Sequence, residues 1–212
     1  MRAIRDLYGL RTLSDLARRR KPPLCRLPRL WLLTDERRLP DPLPAVRALP
    51  RGAGVIFRHY GDPKRAALAA RLARLCRARG LALLIAGDGR LAAAVGADGI
   101  HLPEALAGQI AGWRRRRRRW LVTVAVHGGA ALSKARLADA ALLSPVFATA
   151  SHPGATPLGP LRFAALACRS RLPVIALGGI AVGNLRRLSG IRLAGIAAIG
   201  ALAAQTAEVQ CN

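Results

Sequence analysis

The stretch Leu172–Ile180, LPVIALGGI, decides how this chain is read. An apolar run opens at Pro173 and closes at Gly178 and Gly179. A run bounded in this way fits a strand buried on both faces, as in a parallel sheet. Two glycines at the strand end carry no Cβ, so the backbone can come close to a ligand. Exposed N–H groups in such a turn can hold a phosphate. The same pair equally fits a tight turn after a core strand, so its meaning rests on the surrounding chain.

Outward from this stretch, similar runs recur at a regular beat. Strands are expected at Leu30–Thr34, Gly54–Arg58, Leu81–Ala86, Gly99–Leu102, Leu121–Val126, Ala140–Val146, Pro173–Leu177 and Gly195–Ile199. Helical spacing of Ala, Leu and Arg runs from Pro63 to Arg79, and Gly80 offers a stop. Shorter helices are expected over 91–95, 106–113, 132–137, 161–168 and 184–188, with a helical tail from Leu202. Strands alternating with helices imply a parallel sheet. Eight such units imply an α/β fold of the compact (β/α)8 TIM-barrel type. A doubly wound sheet would place a glycine-rich fingerprint after its first strand. Here Asp35-Glu36-Arg37-Arg38 follows instead. Residues 30–212 therefore read as one barrel domain. Residues 1–29 read as a basic, partly disordered N-terminal extension, broken at Lys21-Pro22-Pro23.

The totals suit one domain with a full core: 212 residues, 52% of them hydrophobic. The net charge is +24, with 35 Lys and Arg against 11 Asp and Glu. That balance favours anionic ligands. The arginines are scattered along helices among Ala, Gly and Pro, a pattern that also fits codon bias, so nucleic acid is not the expected partner. The run Arg114–Arg119 between Trp113 and Trp120 precedes the fifth strand and is expected as a solvated helix end on the N-terminal face. Phe57 and Phe147 read as barrel core or pocket wall. Cys25, Cys76, Cys168 and Cys211 form no C-x-x-C pair, which excludes the usual zinc and disulfide patterns and suggests reduced cytoplasmic thiols. No stretch approaches the roughly 18 apolar residues of a membrane span. The N-terminus lacks the apolar core of a secretory signal.

In a barrel of this kind the chemistry sits at the C-terminal ends of the strands. The polar residues expected there are Asp35, Arg58, His59, Asp88, His101, Glu104, His127, Ser144 and the Thr149–His152 loop. All four histidines follow or end strands. Phosphate belongs after the seventh and eighth strands, which places it at Gly178, Gly179, Ile199 and Gly200.

Four motifs, in order and at matching spacing, carry a family resemblance. WLLTD, AVGADGIHL (94–102), SPVFATASHPGATPLG (144–159) and PVIALGGI (173–180) together resemble the thiamine-phosphate synthase / thiazole tautomerase (TenI) family over about 30–202. The resemblance implies a (β/α)8 barrel of thiamine biosynthesis. The synthase joins a hydroxymethylpyrimidine diphosphate to a thiazole phosphate, releases pyrophosphate and uses Mg2+. The tautomerase isomerises the thiazole phosphate carboxylate without a metal. By position, Thr149, Ala150 and Ser151 would meet the thiazole phosphate, whose phosphate would sit on Gly178, Gly179, Ile199 and Gly200. Arg58 matches the arginine that contacts the diphosphate.

Several family positions differ. Tyr60 stands for the second-strand lysine, Ala86 and Gly87 for the Asn-Asp pair whose Asp binds Mg2+, Ala125 for the fifth-strand serine and His152 for the loop lysine. Asp88 and Glu104 are the carboxylates nearest the expected metal positions. Ser144-Pro145 stands where the tautomerase has its histidine base, which leaves His127 or His152 to move a proton. The first reading is a synthase-like transferase in which Arg58 and His152 stabilise charge. A metal-free tautomerase using His127 or His152 is the second. A non-catalytic binder of thiazole or thiamine phosphate is the third, and a polyanion binder using the Arg run the fourth. The expected partner is a small phosphate-bearing molecule and not a membrane, and the oligomeric state stays open.

Overall fold

The computed structural model describes residues 27–149, 154, 156–181 and 183–199. Eight parallel strands close into a barrel in chain order, with β1 pairing β8. They are β1 (Leu30–Leu33), β2 (Gly54–Phe57), β3 (Ala82–Ala86), β4 (Gly99–Leu102), β5 (Leu121–Val126), β6 (Ala140–Leu143), β7 (Val174–Ala176) and β8 (Gly195–Ala198). Six α-helices are described between them: α1 (Leu43–Ala48), α2 (Arg65–Arg79), α3 (Gly89–Ala94), α4 (Ile110–Arg116), α5 (Gly129–Lys134) and α6 (Gly159–Arg169). Two 3-10 turns, Glu104–Gln109 and Leu185–Leu188, complete the ring. The expected extension falls outside the described residues up to 26, as does the tail from 202.

The strands are buried almost throughout because each has two apolar surroundings. Alternate residues point to opposite faces of a strand. Trp31, Leu33, Ile56, Leu84, Leu142, Ile175 and Ala197 fill the barrel interior. Their neighbours Leu32, Val55, Phe57, Leu83, Ile85, Val122 and Leu143 pack under the helices. Trp31 is the bulkiest interior side chain, and Gly54 makes room for it, since a Cβ there would lie inside the indole ring. The indole Nε1 donates to the Pro28 carbonyl at 2.7 Å.

Helix α2 shows how local sequence serves the shell. Leu68, Ala69, Leu72, Ala73 and Cys76 form its buried stripe. Gly80 ends it at φ 64°, a left-handed conformation that costs glycine nothing. The Leu81 N–H then returns to the Cys76 carbonyl at 2.9 Å.

The boundaries differ from expectation in particular places. Strand β6 stops at Leu143 rather than Val146, since Pro145 has no N–H for a ladder. Strand β7 begins after Pro173 for the same reason. Helix α1 has no counterpart among the helices expected from sequence, and it carries Pro42 and Pro44 at its start. Proline fits the first helical turn, where N–H groups lack partners anyway. The segment expected as one helix over 106–113 divides into a 3-10 turn and α4.

Candidate active site at the barrel mouth

Arg58 follows directly on β2, and its backbone N–H donates to Thr34 Oγ1 at 2.9 Å. The Thr34 hydroxyl lies 3.0 Å from His59 Nδ1, and His59 Nε2 lies 3.1 Å from the Leu39 carbonyl. A carbonyl only accepts, so Nε2 carries the donated proton, and Nδ1 pairs with the Thr34 hydroxyl. Thr34 and His59 are buried, and the His59 ring stacks on Phe57 at 5.0 Å. This chain of bonds holds the backbone at Arg58 in place. His59 is therefore a scaffold residue, and Thr34, which the sequence reading passed over, is its partner.

His101 lies within β4, and its neighbours Ile100 and Leu102 face the helices, so its ring points into the barrel. Its Nδ1 is 2.9 Å from Thr123 Oγ1 on β5, and both residues are buried. Burial first, and then the positive charge of Arg58, push its pKa down to about 3. The ring is thus neutral at physiological pH and forms an uncharged floor beneath the arginine.

Two carboxylates sit on the same rim. Glu104 Oε2 accepts the His127 backbone N–H at 2.9 Å and the His127 Nδ1 proton at 2.7 Å. One oxygen thereby fixes both the main chain and the ring of His127, leaving Nε2 for other partners. Asp88 caps α3 by accepting the Leu91 N–H at 2.9 Å. Its second oxygen lies 3.6 Å from Arg65 Nη1.

Mg2+ takes hard oxygen ligands, commonly one or two carboxylates together with substrate phosphates. Glu104 is committed to His127, and Asp88 to Leu91 and Arg65. Among the described residues no three His, Cys, Asp or Glu side chains gather at one place. The residues present do not fit a divalent ion held between Asp88 and Glu104.

Across the mouth, Gly178 and Gly179 adopt φ of 97° and 62°. A Cβ on Gly178 would lie 2.7 Å from Pro145 Cα, and one on Gly179 would run into the Ala148 carbonyl. The Phe147 N–H donates to the Gly178 carbonyl at 3.1 Å, and the Asn184 amide donates to the Gly179 carbonyl at 2.7 Å. Backbone conformation and close packing against the loop after β6 are thus sufficient reasons for both glycines. Arg187 lies over the Phe147 ring, 5.5 Å from its centroid. Ile199 is buried at the end of β8. Thr149, in the segment after β6, is half-buried. Ala150, Ser151, His152 and Gly200 lie outside the described residues.

The arginine run is exposed and ends α4 before β5, on the opposite face of the barrel. Arg114 grips both oxygens of Asp139 at 2.8 and 3.0 Å. Trp113 stacks on Trp120 at 5.8 Å, with Arg117 over the Trp120 ring. No helix among the described residues is long and apolar enough to cross a membrane.

The family model described as thiamine monophosphate synthase (TMP-TENI) matches residues 33–202. A thiamine-phosphate synthase of Chromobacterium violaceum is 37% identical over 171 residues, covering 74% of this chain and 79% of that protein. One from Laribacter hongkongensis is 36% identical over 170 residues, covering 73% and 76%. Among solved structures, thiamine phosphate pyrophosphorylase from Pyrococcus furiosus superposes with a TM-score of 0.69 at 21% identity, covering 86% of this chain and 96% of that one. At that identity the superposition speaks to the barrel fold alone.

Proposed function

The chain belongs to the thiamine monophosphate synthase family, and we propose that it makes thiamine phosphate from a hydroxymethylpyrimidine diphosphate and a thiazole phosphate. The bond between the pyrimidine methylene carbon and the diphosphate oxygen breaks, and its electron pair leaves with pyrophosphate. The thiazole nitrogen lone pair forms the new C–N bond. The family resemblance implies Mg2+ for this chemistry, whereas Asp88 and Glu104 are engaged by Leu91, Arg65 and His127.

One observation carries the reading. Arg58 stands at the mouth, held by the buried Thr34–His59 pair, at the position where the family resemblance expects the diphosphate. A guanidinium presents paired donors that match phosphate oxygens, and it stabilises the charge that develops on the leaving group. The neutral His101 floor leaves that positive charge uncompensated from below. Thr149, Ala150 and Ser151 would line the thiazole, and the backbone at Gly178, Gly179, Ile199 and Gly200 would take its phosphate. His127, oriented by Glu104, faces the same rim, and His152 is assigned to charge stabilisation on the β6 loop. The reaction is placed in the cytoplasm.

The test incubates both substrates with the protein and follows thiamine phosphate by chromatography. The expected result is product formation that falls about 100-fold or more in kcat/KM for Arg58→Gln, the loss of a charged contact made to a developing charge. Unchanged kinetics in that variant would remove Arg58 from the mechanism. Binding of thiazole phosphate with no product would favour the tautomerase or the binder instead.

A further inference from the structure

Two arginines, Arg58 and Arg65, stand near one phenol at the ends of β2 and β3. Burial pushes the Tyr60 pKa up, and the charges of Arg58 and Arg65 act against that rise. Arg65 comes from the first turn of α2, yet its side chain is only 18% exposed. Its guanidinium lies 5.4 Å from the Tyr60 ring centroid and 6.0 Å from that of Phe57. Nη2 donates to the Ala86 carbonyl at 2.7 Å, and Nη1 faces Asp88 at 3.6 Å. Nε is buried and has no partner among the described residues.

This arrangement is costly for the protein alone. A buried guanidinium with an unpaired N–H loses hydration that its contacts do not replace. Its ion pair with Asp88 is longer than a strong charge-assisted hydrogen bond, and that carboxylate also caps α3. One carboxylate against two guanidinium groups leaves net positive charge at the rim. The aromatic contacts and the Ala86 carbonyl fix the plane of the Arg65 fork before any ligand arrives. An anion with several oxygens would offset the charge that both arginines bring to Tyr60.

We propose that Arg65 is a second anion-binding residue that, with Arg58 and Tyr60, clamps the diphosphate and its pyrophosphate product without a carboxylate-held metal ion. The identity of the anion rests on the synthase reading, whereas the clamp itself rests on these contacts. Asp88 then serves as the anchor of Arg65 and the cap of α3. Positive charge comes from a guanidinium at the rim position where Ala86 and Gly87 supply no carboxylate. As the C–O bond breaks, the electron pair moves onto an oxygen already facing two guanidinium groups.

The experiment titrates inorganic pyrophosphate calorimetrically into the full-length protein at fixed ionic strength, with EDTA or with Mg2+. Wild-type protein should bind in EDTA within about threefold of its affinity in Mg2+, as guanidinium–phosphate pairing needs no metal. Arg65→Gln should weaken binding about 10-fold or more, and Arg65→Lys, which keeps charge but loses the fork, should fall in between. Arg74→Gln removes an exposed charge from the same helix and should change binding less than about twofold at this ionic strength. If Arg65→Gln does not fold, Arg65→Lys and the chelator comparison carry the test. Binding only in Mg2+, or equal losses in the Arg65 and Arg74 variants, overturns the clamp. A wild-type protein that makes thiamine phosphate but binds pyrophosphate only with Mg2+ overturns the clamp and keeps the reaction. Metal-free binding through Arg65 with no thiamine phosphate formed keeps the clamp and overturns the reaction.

Discussion

The two ends of the barrel set the same residue types against different parts of the chain. At the N-terminal end, Asp98 and Asp139 stand just before β4 and β6 and reach sideways to the neighbouring strand. Asp98 accepts the Leu83 N–H and Asp139 the Val122 N–H, each at 2.8 Å. Carboxylates there stitch strand to strand, and Trp31 fills the space within. At the C-terminal end, Asp88 and Glu104 accept the N–H groups of Leu91 and His127, beyond the strands, and also hold the side chains of Arg65 and His127. The difference teaches that carboxylates at the lower end bridge neighbouring strands, whereas those at the mouth fix the segments that leave the strands and aim side chains from them. Substitutions at the two ends should therefore report on different quantities, stability below and ligand handling above.

Trp31→Ala should give the largest effect. It removes the bulkiest interior side chain and leaves Gly54 facing a void. The expected loss is about 3–5 kcal/mol, or roughly 10 °C in melting temperature for a chain of this size. Thermal unfolding followed by circular dichroism checks it. A melting temperature within 2 °C of wild type, taken as about the shift produced by 1 kcal/mol, would show that the lower interior is not where stability is concentrated.

The fold was legible because its signals are local. Every expected strand is present, since apolar runs between Pro and Gly need no distant information. The site was legible only where position along a strand determines it. Arg58 could be placed because it follows β2 directly. Arg65 could not, since it is one more arginine in an Ala-Leu-Arg helix of a chain with 35 basic residues. Its burial depends on Ala86, Asp88, Phe57 and Tyr60, which lie far apart in sequence or on other elements. The histidines show the same limit. His59 and His127 both follow strands, yet one is buried against Thr34 and the other is half-exposed against Glu104. Burial distinguishes them, and burial is a property of the assembled barrel. Gly178 and Gly179 read in sequence as an approach for ligand, and the structure adds a second reason for them in Pro145 and Phe147.

A second prediction concerns the floor between the two ends. His101 has its folded pKa pushed down to about 3 by burial and by the charge of Arg58. An unfolded histidine titrates near 6.5. Between these values the unfolded chain binds a proton that the folded chain does not, so stability rises with pH across this window. The contribution is complete above about 6.5 and is lost progressively as pH falls toward 3. Going from pH 7 to pH 5 should cost the wild type about 2 kcal/mol more than His101→Gln, in which this titration is gone. Denaturant unfolding at both pH values measures it. Equal losses in the two proteins would mean that His101 takes up its proton in the folded state and that the floor is not neutral.

The smallest effect tests the stitching at the lower end. Asp139 has two partners, the Val122 N–H and Arg114. Arg114 is 42% exposed, so the ion pair itself should contribute little, whereas the backbone N–H is left without its acceptor if the side chain is cut back. Asp139→Asn keeps an acceptor oxygen and should cost less than about 0.5 kcal/mol, and Asp139→Ala should cost about 1 kcal/mol or somewhat more. Arg114→Ala alone should match the Asn variant. If Asp139→Asn costs as much as Asp139→Ala, charge rather than the strand contact holds this corner, and the arginine run would then contribute to stability through Arg114. The order expected from the geometry, backbone contact above ion pair, makes the lower end of the barrel indifferent to salt while the two-arginine mouth is strongly dependent on it.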